Sequence, residues 1–170
     1  MAKRKLVARL NGKRDSFLKS FSLIEVFVAM VIFMTIINGA IFLLTRSLAT
    51  VNLILEKLIA AELAQEGVEI VRNIKDSNVI SGAPWDSGLA PGTYYADYND
   101  LALIPSSSPP PLKQDANGFF NYENGTSTPF IRKIEIQKID DHHLKVNSIV
   151  SWTHKGQSFS VNVESHLYEY

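Results

Sequence analysis

The chain has 170 residues, 46% of them apolar and 20% charged, which excludes a wholly disordered chain, a collagen-like one and a multi-domain machine. Cysteine is absent, so disulfide scaffolds, thiolate-ligated zinc, iron–sulfur clusters and thiol catalysis are excluded as well. Net charge is zero but unevenly spread: residues 1–20 carry +6 and the other 150 carry −6, a pattern of a short signal on a long body rather than of a uniformly basic nucleic-acid binder.

Residues 1–20 form a basic leader, with Lys3, Arg4, Lys5, Arg9, Lys13, Arg14 and Lys19 against Asp15 alone. After it stands Ser20-Phe21-Ser22-Leu23-Ile24-Glu25, then VFVAMVIFMTIINGAIFLLT from Val26 to Thr45, twenty residues without a charge. At ~1.5 Å per residue such a helix covers ~30 Å, the thickness of a bilayer's hydrocarbon core. Basic residues flank it closely only on the N-terminal side, so the positive-inside rule holds the leader in the cytoplasm and sends the body across the membrane. A cleaved secretory signal is the competing reading. The apolar run is longer than an h-region of ~7–15 residues, and Asn38-Gly39-Ala40 is its one weak suggestion of a signal-peptidase site. Glu25 is a carboxylate among Phe21, Leu23, Ile24, Val26 and Phe27, and an acid embedded in a span is costly enough to be a functional-site candidate by default.

The basic leader, Phe21-Ser22-Leu23-Ile24-Glu25 and the long apolar helix together resemble the N-terminal signal of type IV prepilins and pseudopilins. The resemblance implies cleavage between Ser20 and Phe21 by a membrane-embedded prepilin peptidase, with N-methylation of Phe21. It makes Glu25 the fifth residue of the mature chain, the acidic position of that family, where the carboxylate neutralises the Phe21 amine of a neighbouring subunit. Ser20 departs from the glycine that usually precedes the cut, but it is small enough for a pocket built for glycine. The partners so implied are the prepilin peptidase, other pilin or pseudopilin subunits, the membrane protein of the assembly platform, and lipid before assembly. The implied location is a single-pass inner-membrane protein, N-terminus inside, that is later extruded into an extracytoplasmic filament.

Beyond the span, Val51, Ile54, Leu58, Ala61, Ala64, Val68, Val71 and Ile74 recur at spacings of three and four, an apolar stripe on an otherwise polar helix. Residues 21–46 are thus read as the membrane and assembly half, and 47–76 as the amphipathic half, of one helix about 80 Å long. Asn38-Gly39 and Gly67 interrupt its propensity, and Asn38-Gly39 is read as a point of local melting or kinking.

Residues 77–129 change to Gly, Pro, Ser and Asn-rich loop chemistry, in which Asn124-Gly125-Thr126 reads as a turn. The aromatic pieces 94–98 and 119–122 are candidate edge strands whose partners are left open, with the Ser/Pro run between them as a surface excursion. Residues 130–170 read as a meander. Ile131 to Ile139 is its first strand, Asp140-Asp141-His142-His143 a turn, and two further strands alternate cleanly through Leu144, Val146, Ser148, Val150, Trp152 and Phe159, Val161, Val163, Ser165, Leu167, with a turn at His154-Lys155-Gly156-Gln157. The fold class expected is α+β, a long N-terminal helix packed on a C-terminal antiparallel sheet.

No phosphate loop, nucleophile elbow or HExxH motif is present, so no catalytic residues, metal or cofactor are expected and the protein is read as a non-enzyme. Asp140-Asp141-His142-His143 is the one run of metal-ligand types, and a polar turn explains it better because adjacent strand residues point to opposite faces. The expected role is a structural subunit of a type IV pilus or a related secretion or DNA-uptake pseudopilus. The absence of Cys and of a calcium loop suits a minor subunit better than one repeated along the whole filament. A permanently anchored extracytoplasmic binding module is the alternative.

Overall fold

A computed structural model describes residues 22–169. It contains one helix, α1 (Leu23–Ser81), and eight strands: β1 (Gly92–Tyr95), β2 (Ile104–Pro105), β3 (Lys113–Gln114), β4 (Phe120–Asn121), β5 (Thr126–Ser127), β6 (Ile131–Asp140), β7 (His143–His154) and β8 (Gln157–Tyr168). The architecture is α+β, with α1 on an antiparallel sheet of order β2-β1-β6-β7-β8 and a small sheet of order β4-β3-β5 beside it. The described residues divide into two units, one ending at Ser47 and one beginning at Leu48.

Both ends of α1 are set by local chemistry. Ser22 is the N-terminal cap, its carbonyl accepting from the backbone N–H groups of Glu25 and Val26 at 3.0 and 3.2 Å. Ser22-Leu23-Ile24-Glu25 has the Ser-x-x-Glu spacing of a capping box, so Glu25 stands in the first turn, where the helix dipole favours a carboxylate. At the other end the helix continues past 76 to Ser81. Gly82, at φ 74°, takes the left-handed conformation that lets Ala83 N–H reach Asn78 O at 2.9 Å and Gly82 N–H reach Val79 O at 3.2 Å. Those two bonds are a Schellman stop.

In the second unit the helix packs by 3.6-residue periodicity. Ala60, Leu63 and Ala64 meet Leu112, Phe130, Val150 and Trp152; Val68, Val71 and Ile74 meet Ile134, Ile136, Leu144, Val146 and Leu167. The upper part of the expected stripe is corrected: Val51, Ile54 and Leu58 are exposed. The face turned to the sheet there carries Glu56, whose carboxylate accepts from Trp152 Nε1 at 3.0 Å and pairs with His154 Nδ1 at 2.8 Å. A polar residue on the buried face hides the true stripe from hydropathy. Gly67 belongs to this face by necessity. A Cβ there would lie 2.3 Å from Ser148 Oγ and 3.2 Å from Arg132 Cδ, so the close approach of helix and sheet at this residue leaves no room for a side chain.

The meander forms with the expected turns. Lys155 and Gly156, at φ 49° and 81°, make the two-residue connection with both residues left-handed that matches strand twist, and β7 pairs β8 in unbroken register from His143↔Tyr168 to His154↔Gln157. The candidate edge strands at 94–98 and 119–122 fall in different sheets: β1 pairs with β6 and β2, whereas β4 pairs with β3 in the small sheet. The two pieces meet through rings and one side-chain-to-backbone bond: the Tyr95 and Tyr122 rings pack edge to face at 4.9 Å, Tyr98 stacks on Phe119, and Asp97 accepts from Tyr122 N–H.

Candidate functional site

Of the residues read as processing and assembly positions, Ser20 and Phe21 lie outside the described residues. Glu25 lies within them. It is exposed, and no hydrogen bond or ion pair of its side chain occurs among the described residues. The helix around and after it is apolar on all sides and exposed on all sides: Leu23, Ile24, Phe27, Met30, Phe33, Ile36 and Ile41 are each more than half exposed. Such a surface is unfavourable in water by roughly 25 cal/mol per Å2 of apolar area. It requires bilayer, neighbouring helices or both.

Three polar side chains of the apolar stretch donate to carbonyls one turn back along the helix. Thr35 Oγ1 donates to Val31 O at 2.8 Å, Asn38 Nδ2 to Met34 O at 2.7 Å, and Thr45 Oγ1 to Phe42 O at 2.9 Å. Internal satisfaction is what a span in hydrocarbon demands. The helix runs unbroken through Asn38-Gly39, where melting or kinking was expected. Arg46 ends the uncharged run with its guanidinium 5.5 Å from the Phe42 ring centroid. By length and composition α1 can cross a membrane, and its most apolar window has no residue buried within the protein.

In the second unit the sequence reading missed a buried polar node. Arg132 is wholly buried, on the same face of β6 as Ile134 and Ile136. Its Nη1 bonds Leu63 O at 3.3 Å and pairs with Glu66 Oε1 at 3.0 Å, its Nη2 bonds Ala96 O at 2.6 Å, and its guanidinium lies 5.9 Å from the Tyr122 ring centroid. One side chain thus ties α1, β6, the end of β1 and the small sheet. Asp97 adds a second tie, accepting from Tyr122 N–H at 3.1 Å. Burial raises the pKa of the Tyr122 phenol, with Arg132 offsetting part of the effect, and its hydroxyl has no hydrogen-bond partner of good geometry among the described residues.

Asp140-Asp141-His142-His143 is a turn, with His142 N–H donating to Asp140 Oδ1 at 2.9 Å. No group of three or more His, Asp or Glu side chains converges in metal-holding geometry among the described residues. His142 pairs with Glu169, which raises its pKa above the usual imidazole value. Comparison with family models, with curated proteins and with solved structures returns no match to this chain, so the residues themselves carry the functional argument.

Proposed function

We propose that the protein is a structural subunit, used sparingly, of a type IV pilus or a related pseudopilus. In this reading the leader 1–20 stays in the cytoplasm and the apolar half of α1 lies in the inner membrane. Prepilin peptidase cuts between Ser20 and Phe21, Phe21 is N-methylated, and the assembly platform extrudes the subunit into a filament with other pilin-like chains. The observation that carries the reading is the exposed, uncharged helix from Val26 to Thr45 preceded by a single carboxylate, Glu25, in the first turn. A carboxylate there would face high cost in lipid or between packed helices unless a cation met it. A neighbour's Phe21 amine, positive and at the same depth, is such a cation. The α+β unit after residue 47 supports the reading as the part that remains in water.

Coexpression with a prepilin peptidase, followed by intact-mass and N-terminal peptide analysis, tests it. The expected product begins with N-methyl-Phe21, with conversion faster for Ser20→Gly and blocked for Ser20→Leu. An intact leader, or cleavage near Ala40, overturns it.

A further inference from the structure

The outer face of the five-stranded sheet, opposite α1, carries a histidine pair that filament assembly does not use. The register sets His143 across from Tyr168 and Lys145 across from His166, so His143 and His166 are diagonal neighbours on one face. Their nitrogens meet: His143 Nε2 and His166 Nδ1 are 2.6 Å apart. Three neighbours hold this geometry. Glu164 Oε1 lies 3.1 Å from His166 Nε2, Lys145 Nζ holds the other Glu164 oxygen at 2.7 Å, and Tyr168 stacks on the His143 ring with centroids 4.4 Å apart and planes 17° apart. A carboxylate acceptor at His166 Nε2 fixes that ring's proton there and leaves Nδ1 as a lone pair directed at His143.

We propose that His143 Nε2 and His166 Nδ1 form a two-nitrogen chelate for a divalent late first-row metal ion, Cu2+ above all, with water in the remaining positions. The choice of ion follows from the donors. Imidazole nitrogens bind Cu2+ most tightly of the first-row divalent ions, and the ion would replace the 2.6 Å hydrogen bond between the two rings.

The rings now meet head-on, with centroids 4.9 Å apart. Binding therefore reorients the rings so that both nitrogens face a common point in solvent. The proton on His143 Nε2 passes through solvent to its Nδ1, so both imidazoles bind as neutral ligands. Glu164 does not touch the ion; it orients His166. The sequence reading weighed metal binding only within residues 140–143. The site instead takes one histidine from that run and one from 23 residues further along the chain.

Cu2+ titration of the full chain in detergent micelles, by calorimetry and electron paramagnetic resonance, tests the site. One equivalent should bind with Kd below about 10 μM, and the axial spectrum should show coupling to two nitrogens. His143→Ala and His166→Ala should each weaken binding at least about tenfold, and Glu164→Gln by about tenfold through lost orientation. His142→Ala, whose side chain pairs with Glu169, should change nothing. All four substitutions lie on exposed or half-exposed side chains, and an unchanged circular dichroism spectrum certifies the fold. Binding weaker than about 10 μM, a one-nitrogen spectrum, or equal affinity in His143→Ala overturns the proposal. None of these results depends on leader cleavage or filament entry.

Discussion

Gly67→Ala separates the close helix–sheet approach from ordinary helix propensity, because the two push stability in opposite directions. In an exposed helix the change would gain about 1 kcal/mol. Here the new methyl would sit 2.3 Å from Ser148 Oγ and 3.2 Å from both Ser148 Cβ and Arg132 Cδ. Rotating the Ser148 hydroxyl within its buried site eases the first contact only in part and leaves the other two. Ser148 and Arg132 are wholly buried, so neither can retreat into solvent, and moving Arg132 lengthens its bonds to Leu63 O and Ala96 O. Overpacking of this kind costs ~1–3 kcal/mol, and with two neighbours displaced the upper end applies. The expected net loss is about 2 kcal/mol, read by urea unfolding of the unit Leu48–Tyr170. Ser148→Ala should itself cost little, because its hydroxyl has no hydrogen-bond partner among the described residues. In that background Gly67→Ala should lose about 1 kcal/mol less. A stabilising Gly67→Ala, or a cycle with no coupling, refutes the close approach.

Arg132→Met should destabilise the same unit by about 3 kcal/mol, since it leaves Ala96 O unpaired and Glu66 without its cation; a loss under about 1 kcal/mol would mean the node is dispensable. Tyr122→Phe should be within about 0.5 kcal/mol of wild type at pH 7, because the hydroxyl it removes is buried and unpaired. The Tyr122 pKa is raised in the fold, so its contribution is fully present below the unfolded value near 10 and is lost as pH rises through the folded one. Melting curves from pH 9 to 11 should therefore fall less steeply for Tyr122→Phe, and parallel curves would contradict this. Glu25→Ala should insert and fold normally but enter filaments of an assembling host at about a tenth of the wild-type level or less; wild-type incorporation would sink the pairing with Phe21.

The α+β plan was legible because long elements announce their period. Strands β7 and β8 alternate over twelve residues each, and their two-residue turn leaves the register no freedom. Glu25 was legible from its immediate neighbours alone. The small sheet was not, since strands of two residues are too short to carry a period. Arg132 shares inward parity with Ile134 and Ile136 in β6, but a guanidinium there reads as an error in the alternation until Leu63 O, Glu66 and Ala96 O are known to surround it. The same blindness hid Glu56, a charge on the packed face of α1. His143 and His166 meet only through the β7–β8 register, a relation between strands that neither strand's own pattern contains.

The central claim, that this chain is a filament subunit rather than a permanent membrane anchor, is tested most directly by quantitative peptide counting on filaments sheared from an assembling host. The chain should be recovered there, beginning at N-methyl-Phe21, as a small share of filament mass. Recovery as most of the mass would contradict the minor role alone. Absence from the filaments, with the folded unit after residue 47 still held in the membrane fraction, would contradict the central claim and favour an anchored binding module.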